Sequence, residues 1–331
     1  MTRFRIFVVL LALALAAATL SACGGGGSEE PGEVLDSVSF EGIDSAAFDV
    51  SLGVEASGTQ SVDLESADVE VAASGQFERQ GFDLPKVDAT ATVKGTANGE
   101  ELDFETGLTL LGSNGFVNYK GTEYEIDPSN YSLARVLFVP GAATQGGNGD
   151  NAEIAACQRV LADNPISELA VDPSSEGNVE VNGEETTEIS GELNVSALAD
   201  LFARLAGDPK CRVQLEAISP LPLYELRQIG DELSGAVEKA RIEINVGDDD
   251  IVRRVAAELA ASRKGGERVA IEFELALTDV NEPQQFEAPA KSRPLGALFT
   301  LLNVNPGGFI TSSGGEVLNQ LLEKVAADAL P

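Results

Sequence analysis

Leu20-Ser21-Ala22-Cys23 is the one stretch whose residue types and spacing commit a thiol to chemistry. Arg3 and Arg5 supply a basic start, Ile6 to Leu20 are apolar apart from Thr19, and Ser21-Ala22 put small side chains before the cysteine. That order is the layout of a bacterial secretory signal peptide, and its last four residues match a lipobox. In this reading cleavage precedes Cys23, and its sulfur carries a lipid anchor of palmitate-type acyl chains. The alternative is an uncleaved membrane helix. The apolar run is short for a span, and Gly24-Gly25-Gly26-Gly27-Ser28-Glu29-Glu30 reads as a flexible tether, not a stop-transfer flank. The expected location is the cell membrane, lipid-anchored on its extracytoplasmic face.

The remaining residues offer little to catalysis. The chain has no histidine, which removes Ser-His-Asp and Cys-His mechanisms and nearly all zinc chemistry. With Cys23 assigned, Cys157 and Cys211 form an even pair in an exported, disulfide-permissive setting. They pair as a disulfide or stay as two buried thiols, and the compartment favours the disulfide. Neither has a CxxC neighbour to tune its pKa. Asp248-Asp249-Asp250 lacks the ligand spacing and following Glu of a calcium loop and reads as a solvated turn. The glycines at 24–27 and 146–148 lack the strand–loop–helix setting and the lysine of a phosphate loop. No two carboxylates are brought together by sequence, and there is no Trp for sugar stacking. The expectation is a non-enzyme with no catalytic residue, metal or cofactor.

The elements that must carry such a protein are mostly strands. Hydrophobic residues make up 43% of the 331, enough for a sizeable core, but with 14 Phe, 4 Tyr and no Trp that core is aliphatic. The net charge is −32, and two units more negative once Arg3 and Arg5 leave. A surface this acidic repels nucleic acid and anionic headgroups, so neither is expected as a general surface partner.

Period-two alternation marks strands at Phe48–Ala56, Asp68–Ala73, Val87–Lys94 and Leu102–Leu110, with Asn98-Gly99 as a hairpin turn. Ser113-Asn114-Gly115 and Gly121-Thr122 turn the chain around two further strands that end at Ile126. Helices are expected at Tyr131–Phe138 and Ala152–Ala162, around a Gly/Asn-rich loop at 141–151. Strands resume around Asn182-Gly183 and run to Val195; Ser196 then caps a helix with Leu198, Leu201, Phe202 and Leu205 on one face. Part of Leu221–Ala240 reads as another helix. Strands follow at Ile242–Val246, Ile251–Leu259 and Val269–Leu277, and helices at Leu295–Leu302 and Val317–Val325. About ten strands with short connections disfavour βαβ crossovers.

In the second half, Gly183, Thr186, Ile189 and Gly191 stand in the order G-x-x-T-x-x-I-x-G. Arg241 to Arg254 is a strand–acidic turn–strand unit, and Leu275 to Pro289 a closing strand with Pro283 and Pro289 in its exit. In order and spacing these units resemble the LppX/LprAFG-type actinobacterial lipoproteins, with a looser match through Phe116–Ile126. The similarity spans residues 35–290; the insert at 141–151 and the tail beyond Leu295 depart from it.

The resemblance implies a LolA/LolB-like fold of α+β class: a large curved antiparallel half-barrel sheet with helices packed over its concave face. It further implies a non-catalytic carrier that binds lipid or glycolipid between sheet and helices and works with envelope transport machinery. The residues expected to line that space are Val50, Leu52, Val54, Leu198, Leu201, Phe202, Ile242, Ile244, Phe273 and Leu275. The expected organisation is a signal peptide at 1–22, lipidated Cys and tether at 23–34, lipid-binding domain at 35–290 and helical C-terminal extension at 291–331. From periodicity alone the same alternation serves an ordinary filled core, and an envelope scaffold that binds a protein partner is the competing function.

Overall fold

The computed structural model describes residues 31–38, 42–59, 64–80, 83–126, 166–207, 236–262 and 266–302. Cys23, Cys157, Cys211 and the helices expected at 131–138, 152–162 and 317–325 lie outside these residues.

The sheet is built from two antiparallel meanders. The first comprises β1 (Ser45–Thr59), β2 (Leu64–Gln80), β3 (Asp83–Ala97), β4 (Glu100–Leu110), β5 (Gly115–Tyr119) and β6 (Thr122–Ile126). The second comprises β7 (Ala170–Val181), β8 (Glu184–Leu193), β9 (Val237–Val246), β10 (Val252–Ser262) and β11 (Arg268–Thr278). Pairing of β1 with β11, from Ala47 opposite Thr278 to Ser57 opposite Arg268, joins the meanders into one curved half-barrel. A two-residue strand, β12 (Arg293–Pro294), adds in parallel to β6 and completes twelve strands. The sheet is open, with β12 and β7 at its edges.

Among the described residues three α-helices flank it: α1 (Pro31–Ser37), α2 (Val195–Gly207) and α3 (Leu295–Leu301). Of the helix expected within 221–240, residues 221–235 lie outside the described residues, and 237–240 belong to β9, where Ala240, Ile242 and Ile244 continue one alternating face. The α2 cap is Asn194 instead of Ser196: its Oδ1 accepts the Ala197 amide at 3.0 Å, so the helix starts two residues earlier.

The hairpins use the expected chemistry. Asn98 and Gly99 both have positive φ (52° and 78°), as do Asn182 and Gly183 (51° and 89°), the geometry that matches strand twist. The third tight turn is Lys120-Gly121, one residue earlier than expected.

After β11 the chain turns at Asn281, whose amide group clamps the entry to β1. Its Oδ1 accepts from the Asp44 amide at 2.7 Å, and its Nδ2 donates to the Gly42 carbonyl at 2.8 Å. Residues 282–292 then cross the polar face as an extended strap, which Pro283 and Pro289 suit because neither has an N–H to leave unpaired. The Gln76 side chain donates to the Gln285 carbonyl, the Lys86 ammonium lies 5.5 Å from the Phe286 ring centre, and Ser292 donates to Glu125 at 3.3 Å. The strap delivers α3 to the other face, where Leu295, Leu298, Phe299 and Leu302 bury against Tyr119 and Tyr124.

Candidate lipid-binding face

Because side chains alternate across a strand, the register decides which residues share a face. Leu52 stands opposite Phe273 on one side and Val71 on the other. Val71 faces Val93, which faces Phe104, while Phe273 faces Ala257, which faces Ile242. The next row runs Ala91, Ala73, Val50, Leu275, Val255, Ile244 and Ile189. Val50, Leu52, Val54, Ile242, Ile244, Phe273 and Leu275, expected to share one surface, therefore lie on one face in adjoining rows. The opposite face of the same strands carries Asp49, Ser51, Glu70, Thr92, Glu243 and Glu274.

The described helices join two of the three buried clusters on this face. Leu35 and Val38 of the α1 region and half-buried Leu198 of α2 belong with Ile189, Leu193, Ile242 and Ile244, and with Phe48, Val50, Ala73 and Leu275 of the central strands. Leu201 is half-buried on α2, and the side chain of Phe202 lies outside the described residues. At the β5–β6 side, α3 forms its own cluster with the two tyrosines. Between them, Leu52, Ala56, Ala67, Val69, Val71 and Leu102 form a third cluster whose described members all belong to strands. These residues are nonetheless buried, Val69 at 1% exposure and Val71 at 2%. On β4, Leu108 of the same face is 39% exposed.

A depression of about 300 Å³ does exist in the sheet, but on the polar side. It is bordered by Asp49, Ser51, Ser74, Thr90, Thr92 and Glu274, small or polar side chains that leave a shallow trough over the central strands. Nothing in that lining suits an acyl chain.

Sequence reading missed a buried polar cluster on β8–β10. Asn245 has no exposed surface, and its Nδ2 donates to Thr186 Oγ1 at 3.2 Å and Glu188 Oε2 at 3.4 Å. Arg254 donates to Glu274 at 2.7 Å and Glu243 at 3.2 Å, linking three strands. Arg253, 5% exposed, donates to Glu184, to Asp249 at 3.0 Å and to the Ile251 carbonyl at 3.2 Å. Burial opposes the charge on both arginines; the hydrogen bonds and charges of their carboxylate partners outweigh it and raise both pKa values. The signal available in sequence was Arg253-Arg254 itself, two adjacent cations in a chain with 22 Lys and Arg against 54 Asp and Glu.

This cluster holds the β8–β10 end in register. Arg253→Met keeps the apolar stem and removes the charge, leaving Glu184 and Asp249, each about half exposed, free to rehydrate. Loss of about 2 kcal/mol is expected, less than for a fully buried pair because both carboxylates stay half solvated, read as a lower urea midpoint with an unchanged slope. Lys239→Met tests the contrast. Its partner Glu258 has a pKa lowered chiefly by the Lys239 hydrogen bond, but both side chains are solvated, at 59% and 44% exposure. The Glu258 contribution is present above the ordinary carboxylate range and lost as pH falls through the lowered value. Little change in midpoint is expected at neutral pH.

Among the described residues no group of three potential metal ligands comes together. No protein-family model and no curated protein sequence matches the chain. Among solved structures it is similar to LprF from Mycobacterium bovis, at 15% identity over 81% of this chain and 100% of that one, with a TM-score of 0.35. It is also similar to the lipoprotein LppX from Mycobacterium tuberculosis, at 14% identity over 77% of this chain and 94% of that one, with a TM-score of 0.28. A putative outer membrane lipoprotein-sorting protein domain from Vibrio parahaemolyticus shares 7% identity over 74% of this chain and 88% of that one, with a TM-score of 0.17. At these identities and TM-scores the likenesses settle neither family nor function.

Proposed function

We propose that the protein is a membrane-anchored lipoprotein that holds the acyl chains of a lipid or glycolipid against the apolar face of its sheet. It transfers or presents that lipid in the cell envelope and catalyses no reaction. The observation that carries this reading is the extent of the apolar face. It spans the strands from β6 to β8, and around Leu52, Val69 and Val71 the described members of its cluster all belong to strands. Acyl chains are recognised by continuous apolar area with few polar groups, which is what the Leu52–Val71–Val93 section supplies. The lipobox at Cys23 and the LppX-type units of the second half point the same way.

The test uses the mature chain with Cys23→Ser, so that anchor chains are not mistaken for cargo. Native mass spectrometry with solvent extraction is expected to find a stoichiometric diacyl or triacyl lipid. An apo mass, with no uptake of added lipid, would sink the carrier reading. In cells the same substitution is expected to release the protein from the membrane fraction; an unchanged distribution would overturn the anchor at Cys23.

The second reading is an envelope scaffold with a filled core. It is favoured by the near-complete burial of Val69, Val71 and Leu52 in the section the helices leave. Under that reading the apo mass is the expected one.

A further inference from the structure

The chain is acidic almost throughout, with 54 Asp and Glu, yet residues 288–302 contain neither. The same stretch carries Lys291 and Arg293, both exposed, and neither makes an ion pair among the described residues. The α3 helix that follows is uncharged. Leu295, Leu298 and Phe299 face the sheet, while Gly296, Ala297, Thr300 and Leu301 face solvent. Leu301 is 62% exposed, the most exposed large apolar side chain among the described residues. Among the described residues Glu125 is the carboxylate bound to this stretch, accepting from Ser292.

This end of the sheet also adjoins an exposed leucine of the apolar face. Leu108, 39% exposed, stands opposite Val117. Val117 in turn packs in the α3 cluster.

We propose that the α3 end is a docking surface for an anionic lipid bilayer, with Leu301 entering the interface and Lys291 and Arg293 at the level of the phosphates. A body of charge −32 is repelled by such a membrane as a whole. Screening confines that repulsion to about 8 Å at physiological ionic strength. The local patch, two exposed cations with the Glu125 carboxylate held by Ser292 between them, is net positive and therefore faces the surface favourably while the acidic strands stay beyond it. Each cation near an anionic surface strengthens partitioning by about fivefold, and an inserted leucine by about tenfold. Docking here turns the Leu108 margin towards the bilayer, where acyl chains enter and leave. The inference deepens the lipid-handling reading and rests on it for the membrane's role.

The experiment is vesicle flotation of the mature chain with Cys23→Ser, which has no anchor. Vesicles of equal parts phosphatidylglycerol and phosphatidylcholine are compared with phosphatidylcholine alone. Preference for the anionic vesicles is expected, with partitioning at least about 20-fold weaker in Lys291→Glu/Arg293→Glu. Leu301→Ser is expected to weaken it about tenfold without altering charge. The matched control is Lys94→Glu/Arg268→Glu, the same charge change at two exposed cations on the polar face. Equal weakening in the control, or no anionic preference in the parent chain, overturns the proposal. All substituted side chains are exposed, and unchanged thermal melts confirm that folding is intact. A chain that floats yet carries no lipid keeps the docking surface and loses the carrier; one that carries lipid without floating does the reverse.

Discussion

Gly95→Ala is expected to cost about 4 kcal/mol, the sum of backbone strain and a steric collision. Gly95 has φ of +134°, a region that L side chains rarely adopt. An added Cβ would lie 2.0 Å from the Asp68 carbonyl oxygen and 2.8 Å from the Val69 Cα. Both are backbone atoms of β2, so relief requires moving a strand in the middle of the sheet. Gly75 plays the same part at the opposite end of the β2–β3 ladder, where a Cβ would meet the Asp88 carbonyl at 2.2 Å. Two such close approaches are what a tightly coiled strand pair needs, and they curve the sheet around its apolar face.

Gly53→Ala is the comparison. Its Cβ would meet only Glu272 Cβ, at 3.7 Å, an ordinary contact. A change within about 0.5 kcal/mol is expected there, since β1 is regular at that point. Urea denaturation of the three chains reads the difference directly. A Gly95→Ala midpoint close to that of Gly53→Ala would show that the β2–β3 approach is looser than described.

Leu298→Ala carries the second large effect, an expected loss of about 3 kcal/mol. Leu298 is 2% exposed and sits at the centre of the cluster that joins α3 to Tyr119 and Tyr124. The helix has seven residues and no side-chain N-cap hydrogen bond, so local propensity does not hold it. What holds it is this burial, together with the two-residue pairing of Arg293 and Pro294 to β6. The same substitution is therefore expected to free α3 as well as lower the urea midpoint. Near-ultraviolet circular dichroism, which reports Tyr119 and Tyr124, should change with Leu298→Ala and stay unchanged with Leu301→Ser. Ending the chain after Ala290 should reproduce the change in the tyrosine signal. A chain ended there with an unaltered signal would separate α3 from the fold.

The strands were legible because their signal is local. Alternation of Val50, Leu52 and Val54 with Ser51, Gly53 and Glu55 needs no distant partner to be read, and the Asn-Gly turns declare a backbone few other residues adopt. The β7 strand was read short, at Val179 and Val181, because Asp172-Pro173 and two register shifts break its alternation. Its N-terminal part is a strand only because Leu193 and Ser190 of β8 stand beside it. The α3 helix was legible as a helix, but not its place. Its route depends on a strap whose contacts, from Gln285 to Gln76 and from Ser292 to Glu125, join residues far apart in the chain.

By itself, then, the sequence determined which residues share a strand face and where the Asn-Gly hairpins turn. Each of these is a matter of neighbours within a few residues, where covalent geometry and side-chain period leave little choice. Only the tertiary structure decided that β1 meets β11 and turns two meanders into one face. It also decided that Arg253 is buried among carboxylates, and that α3 packs on Tyr119 and Tyr124 while α1 and α2 join the cluster around Ile189 and Ile244. Those outcomes rest on contacts between segments up to 239 positions apart, as between Gly42 and Asn281. Pairings at that distance are chosen by the fit and burial of whole surfaces, which no window of sequence contains.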